Sequence, residues 1–245
     1  ILYLNIYTLL YLYDIVYKVQ YVHSQLKNTT MKTLIPIIII AALLAYYLFF
    51  RKRMALLIID VQNDFCPGGT LAVTDGDSII EPINKLIRLF QSKNDIVIYS
   101  RDWHPLGTTH FKCDENPDGW PVHCVAGSRG AEFRNGLMVP LNANIVSKGM
   151  GNGENAYSAF DPGARISNMD LTTFLKKKRI DTLLVCGLAT DYCVKETVLD
   201  AKKLGYNVIV VQECIKAVNI DPADGEKAIA EMKNAGAAIM TNKII

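Results

Sequence analysis

Between Thr182 and Gly205 the chain reads TLLVCGLATDYCVKETVLDAKKLG, an apolar run that breaks at Gly187-Leu188-Ala189 and at once becomes a helical pattern. Thr182 to Cys186 reads as a buried parallel strand, because the run is continuous rather than alternating. Val194, Val198, Ala201 and Leu204 recur at helical spacing behind Asp191, which has the chemistry of an N-cap. A strand that passes straight into a helix leaves few folds open, all of the strand–helix–strand kind. The junction also presents Cys193 in what should be the first helical turn, where unpaired N–H groups and the positive end of the helix dipole favour a thiolate. A packed core cysteine is the competing reading. Partners elsewhere in the chain decide between the two.

The same alternation runs through the rest of the sequence. Ala55 to Ile59 (ALLII) is a strand-length apolar run that ends at Asp60 and a polar, glycine-containing loop, VQNDFCPGG. Strands are expected at 96–99, 145–146, 208–211 and 238–241, and helices at 78–92, 168–178, 191–204 and 223–235. Strands alternating with helices predict an α/β domain of three layers, α/β/α, around a mainly parallel sheet of about six strands. Residues 101–140 carry little periodicity, which in a compact domain points to a functional loop.

Charge patterning removes one class of partner. Residues 1–53 hold six of the 26 Lys and Arg but one of the 24 Asp and Glu, so residues 54–245 carry 20 basic against 23 acidic side chains. That part has no basic stripe; KKKR at 176–179 reads as the solvated end of a helix, and nucleic acid is set aside. The six cysteines, at 66, 113, 124, 186, 193 and 214, show neither a CxxC nor paired spacing. This fits a reducing, cytoplasmic compartment and leaves Cys193 free to react.

Residues 1–30 begin with Ile, contain six of the twelve tyrosines and precede Met31-Lys32-Thr33, so they read as an uncertain extension upstream of a translation start. Met54 offers a second start. Within 31–53, Leu34 to Phe50 (LIPIIIIAALLAYYLFF) is an uncharged run of 17 residues ending in Arg51-Lys52-Arg53. The run is at the short limit for crossing a bilayer, and its basic flank favours a cytoplasmic location for the domain that begins at residue 54. Residues 34–50 are therefore a membrane-anchor candidate rather than a cleaved signal peptide.

Three of the four histidines, His104, His110 and His123, fall in the irregular region. Asp102 and His104, two residues apart after a strand, can aim a carboxylate and an imidazole at one point, and His123 can complete a three-ligand site. Oxygen and nitrogen donors with an open position suit one divalent metal, Zn²⁺ first and Fe²⁺ or Mn²⁺ after it. His110 stands as a fourth ligand or as a residue behind the ligands. Lys148 comes after another short strand, and beside a carboxylate and a thiol its ammonium would stabilise both anions. Asp60, Lys148 and Cys193 thus form a candidate triad, with Asp60 as proton shuttle.

In this order the pieces resemble the nicotinamidases of the isochorismatase-like cysteine hydrolase superfamily. The resemblance is carried by Asp60 to Phe65 (DVQNDF), Arg101 to Pro105 (RDWHP), Trp120 to Cys124 (WPVHC), Lys148-Gly149, Tyr157 to Phe160 (YSAF) and Gly187 to Val194 (GLATDYCV). It spans residues 55 to about 243, and implies the isochorismatase-like hydrolase fold and a nicotinamidase-like catalytic domain over 54–245. The implied reaction is hydrolysis of nicotinamide to nicotinate and ammonia in NAD salvage, with pyrazinamide also accepted. Carried over residue by residue, Cys193 attacks the carboxamide carbon to give a thioester. Asp60 takes the thiol proton and delivers it to the leaving ammonia, and Lys148 holds the charge of that pair. The oxyanion hole maps to the N–H groups of Ala189 and Cys193, with a cis peptide between Leu188 and Ala189. Phe65, Trp120, Tyr157 and Leu188 map to the substrate pocket. Asp102, His104 and His123 map to the ligands of a metal that binds the pyridine nitrogen. The stretch Gly149 to Ala156 is less acidic than the family leads one to expect, and the N-terminal extension has no counterpart in the family core. Two other readings compete. One is a sister cysteine hydrolase acting on a ureido or carbamoyl amide, against which the three ligands speak. The other is a membrane-tethered binding module without catalysis, against which the intact triad speaks.

Overall fold

The structure, a computed structural model, describes residues 14, 17–18, 35–43, 53–152 and 156–241. The chain divides into two compact units, Ile1–Arg51 and Lys52–Ile245. In the first, residues 35–43 are helical. Among the described residues no helix is long and apolar enough to cross a membrane. The anchor expected over 34–50 is therefore without support; its other residues, and most of the extension over 1–30, lie outside the described residues.

Among the described residues the second unit has seven strands: β1 Arg53–Ile59, β2 Ile96–Asp102, β3 Asn144–Lys148, β4 Arg165–Ile166, β5 Ile180–Leu188, β6 Asn207–Lys216 and β7 Ala238–Met240. Its helices are α1 Ile80–Ser92, α2 Leu171–Lys177, α3 Lys195–Lys203 and α4 Asp224–Asn234. The strands form one sheet in the order β4-β3-β2-β1-β5-β6-β7, parallel throughout except where β4 pairs with β3. The strand beyond the six expected is β4, which at two residues is too short to leave a periodic signal.

Successive residues of β1 and β5 face opposite sides of the sheet. Leu57, Ile59, Leu183 and Val185 pack with Phe174 of α2, Val198 of α3 and Met232 of α4. Leu56, Ile58, Leu184 and Cys186 pack with Ile83, Leu86, Ile87 and Phe90 of α1. Both faces are thus covered, which gives the three expected layers and explains why Leu56 to Ile59, all fully buried, show no polar alternation. Val194 just before α3 and Val198 and Ala201 within it form the buried stripe, while Leu204, which the spacing puts on the same face, sits at the helix end and is exposed. Beside the end of β1 only glycine fits in β5: Gly187 pairs with Ile59 and has φ 116°, and a Cβ there would lie 2.1 Å from the Ile59 carbonyl oxygen.

Candidate active site

β3, β2, β1 and β5 lie side by side, and each delivers one reactive side chain at or just past its C-terminal end, respectively Lys148, Asp102, Asp60 and Cys193. Such strand ends are where a parallel sheet opens a ligand crevice. Lys148 Nζ joins the four. It donates to Asp102 Oδ1 and to the Ala156 carbonyl, the latter at 2.7 Å. It also pairs with Asp60 Oδ2 at 2.8 Å and lies 3.5 Å from Cys193 Sγ. Burial alone would lower the Lys148 pKa, but the carboxylates of Asp102 and Asp60 hold it well above the ordinary lysine value, so the ammonium stays charged. For Asp102, burial pushes upward, and Lys148 together with His104 and His123 brings the carboxyl below the usual range. Asp60 differs: burial outweighs the pull of Lys148 and its pKa rises to about 6. Asp60 is aimed by a left-handed backbone, φ 47°, and its Oδ1 accepts from Ser100 Oγ at 2.7 Å.

After β5 the Leu188–Ala189 peptide is cis, and Thr190–Val194 makes a single π-helical turn ahead of α3. Cys193 therefore sits in that turn, not in the first turn of an α-helix. Asp191 does not cap the helix either. Its two carboxylate oxygens accept from the N–H groups of Val218 and Asn219, at 2.9 and 2.8 Å, tying the cysteine turn to the segment after β6. The thiolate expected from the helix dipole is also corrected. Burial raises the Cys193 pKa well above its ordinary value, Lys148 opposes this only in part, and the Asp60 and Asp102 carboxylates reinforce it. The resting sulfur is a thiol that needs a base. Asp60, Asp102 and Cys193 bring carboxylate oxygens and sulfur within 4.8 Å of one another.

His104, His110 and His123, all buried, bring ring nitrogens within 4.8 Å of one another. His104 Nδ1 faces the Gly149 carbonyl at 3.1 Å and His123 Nδ1 the Pro121 carbonyl at 2.7 Å. A carbonyl can only accept, so each Nδ1 carries the proton and each Nε2 is left with its lone pair. Those Nε2 atoms lie 3.7 and 3.9 Å from Asp102 Oδ2, and His104 Nε2 is buried with no hydrogen-bond partner among the described residues. An orphaned nitrogen, a second free Nε2 and a carboxylate oxygen at these separations fit a divalent ion of the zinc type between them. His110 stacks on His104 with ring centroids 4.7 Å apart. Burial and the two neighbouring imidazoles lower the His110 pKa to about 4, and burial lowers that of His123, so both rings are neutral as ligation requires. Gly149 makes room for this arrangement, since a Cβ there would stand 2.3 Å from the His104 ring.

A pocket opens onto these groups, with Cys193, Ala189, Asp102, His110 and His123 in its wall. Phe65, Trp120 and Tyr157 line it, and Trp120 Nε1 donates to the Tyr157 hydroxyl at 2.8 Å. Leu188 does not line it; that side chain is fully buried in the core beneath α1, and Ala189 forms the wall instead. Two residues escaped sequence reasoning. Tyr192 lines the pocket with its ring edge-on to Trp120 at 5.1 Å, and its only sequence signal is its place next to Cys193. Gln62, inside the polar run after β1, is fully buried and bonds the backbone of Asp102.

A family model for the isochorismatase domain matches residues 54–244. The nicotinamidase of Escherichia coli (strain K12) is 43% identical over 200 residues, covering 76% of this chain and 94% of that protein. Among solved structures, the pyrazinamidase of Pyrococcus horikoshii in complex with zinc aligns with a TM-score of 0.70 at 38% identity, covering 77% of this chain and 99% of that one. PnC1 from L. infantum in complex with nicotinate aligns with a TM-score of 0.67 at 33% identity, covering 78% and 93%.

Proposed function

The chain belongs to the isochorismatase family, as an amide hydrolase of the nicotinamidase type, and we propose that residues 54–245 hydrolyse nicotinamide to nicotinate and ammonia through Asp60, Lys148 and Cys193. The observation that carries this reading is the position of Lys148 Nζ, hydrogen-bonded to Asp102, ion-paired with Asp60 at 2.8 Å and 3.5 Å from Cys193 Sγ at the foot of an aromatic pocket.

Asp60, as carboxylate, takes the proton of Cys193 Sγ while the sulfur attacks the carboxamide carbon. The carbonyl electron pair moves onto oxygen, which the N–H groups of Ala189 and Cys193 receive. Asp60 then protonates the amide nitrogen, the C–N bond breaks, and ammonia leaves a thioester behind. Water loses a proton to Asp60 and adds to the thioester; the C–S bond breaks, the sulfur regains the proton, and nicotinate departs. Through these steps Lys148 stays charged, so neither the sulfur nor Asp60 is ever an unpaired buried anion.

Asp102, His104 and His123 would hold the metal, Zn²⁺ before Fe²⁺ or Mn²⁺, with His110 as a fourth ligand or behind them. When bound, the ion supplies a Lewis-acidic position for the pyridine nitrogen. Phe65, Trp120 and Tyr157 enclose the ring, and pyrazinamide, which offers the same carboxamide and ring nitrogen, is accepted too. The zinc and nicotinate complexes of the two structural relatives support this arrangement. Six free thiols suit a reducing, cytoplasmic setting.

Ammonia release from nicotinamide tests the reading. Metal-stripped protein should lose about 100-fold in kcat/KM, with Zn²⁺ restoring it; full activity after stripping would remove the substrate-orienting role of the ion. With the Asp60 pKa at about 6, kcat/KM should fall about tenfold per pH unit below that value, because a protonated carboxyl cannot accept the thiol proton. Above it the base is available and the rate levels off. A profile that stays flat down to about pH 5 would contradict the raised pKa of Asp60.

A further inference from the structure

In a parallel ladder, a residue that donates its N–H to one carbonyl of the neighbouring strand accepts, at its own carbonyl, from the N–H two residues further along that strand. β1 keeps to this pattern as far as Asp60, whose N–H bonds the Ser100 carbonyl at 3.2 Å. The next two bonds should join the Asp60 carbonyl to Asp102 N–H, and Gln62 N–H to the Asp102 carbonyl. The backbone takes another course. Asp60 is left-handed, φ 47°, and Gln62 N–H turns back onto the Asp60 carbonyl at 2.8 Å. The side-chain amide of Gln62 fills both vacated places: Oε1 accepts from Asp102 N–H at 2.8 Å, and Nε2 donates to the Asp102 carbonyl at 2.9 Å. The second Nε2 proton goes to the Ala131 carbonyl, also at 2.9 Å, in the loop after His123. Gln62 is fully buried, and both of its N–H groups are used.

We infer that Gln62 is a positioning residue, whose carboxamide stands in for the missing peptide edge of β1 so that Asp60 can leave the sheet toward Lys148 while the Asp102 backbone stays fixed. Without that amide, Asp102 would have a free N–H and a free carbonyl in a buried site, and its backbone would shift to satisfy them. The Asp102 carboxylate would move with it, away from its present 3.7 and 3.9 Å separations from the two Nε2 atoms. Gln62 thereby tunes the affinity of the site for its ion without touching it. This rests on the reading of Asp102, His104 and His123 as ligands.

The test is Zn²⁺ affinity of the purified full-length chain, measured by competition with a chromophoric chelator, for the wild type and for Gln62→Met, which keeps the side-chain length. Affinity in the variant should drop by about 10- to 100-fold. A merely structural glutamine would lower the melting temperature and leave the folded protein's Zn²⁺ affinity alone, and wild-type affinity in folded Gln62→Met protein would overturn the inference. Should that chain fail to fold, Gln62→Asn, which stays polar but falls one methylene short, is read by the same criterion. A wild-type chain that takes up no Zn²⁺ would overturn the reading of the ligands themselves, and is thus told apart from a failure of Gln62.

Discussion

Cys193→Ala should abolish nicotinamide hydrolysis, with kcat reduced by about 10⁴-fold or more, while the protein still folds and still binds Zn²⁺. Every other part of the site survives the change: the aromatic pocket, the histidine cluster, the N–H groups of Ala189 and residue 193, and the Asp60–Lys148 pair. What disappears is the atom that, in the proposed mechanism, splits a difficult amide hydrolysis into two easier steps. Asp60 could in principle activate water directly, but water then has to attack an unactivated carboxamide with ammonia as leaving group, and residual catalysis from binding and oxyanion donors is small by comparison. Stability should fall by only about 1 kcal/mol, because the substitution removes a single sulfur from a buried side chain. Steady-state ammonia release, run beside Zn²⁺ binding and thermal melting, checks all three parts. Activity above about one per cent of wild type in a folded, metal-binding Cys193→Ala protein would mean that the thiol is not the nucleophile.

The strands and helices were legible because apolar runs and helical stripes are local signals. Asp60, Asp102, Lys148 and Cys193 were legible as strand-end residues, because the ends of parallel strands converge on one crevice whatever the loops do. Other features depend on contacts between distant segments. Asp191 has the composition of an N-cap, yet Val218 and Asn219 supply the N–H groups that claim its carboxylate, and nothing near residue 191 signals them. A thiolate at Cys193 is the natural expectation for a cysteine at a helix start. It fails because burial and two neighbouring carboxylates, each brought from a different strand, outweigh Lys148. Gln62 was visible in a motif but not in its role, which exists only because the β1 backbone turns away at Asp60. Leu188 was misplaced for a simpler reason: strand alternation carries on to the last residue of β5 and sends that side chain into the core.

Lys148→Met should be the more damaging change, because it attacks stability and chemistry together. Lys148 is fully buried, and its ammonium is the common partner of Asp60 and Asp102, which are 0% and 4% exposed. Removing one member of a buried charge cluster costs about 3–5 kcal/mol, since it leaves uncompensated charge where water does not reach, even though methionine fills most of the space. That is a large part of an ordinary domain's stability of about 5–15 kcal/mol. The pH dependence gives the sign. In the wild type the Asp102 carboxyl is held below its unfolded value, so the stability it contributes is present above the unfolded pKa, about 3.9, and is lost as pH falls through the lower folded value, while Asp60, raised to about 6, has the opposite sign and costs stability as pH climbs from about 3.9 toward 6. In Lys148→Met both carboxyls lose their cation and their folded pKa values rise, so that protein gains stability as they take up protons and loses it as pH climbs toward neutrality. The gap between the two proteins should therefore widen from about pH 4 to pH 7. Urea unfolding midpoints across that range measure it. A gap under about 1 kcal/mol, or one that does not change with pH, would show that Lys148 is not what keeps the two carboxylates ionised. Activity in the folded fraction should fall at least about 1000-fold, because a protonated Asp60 cannot draw the proton from Cys193, and a sulfur without Lys148 nearby has only the turn and the N–H groups to bear its charge.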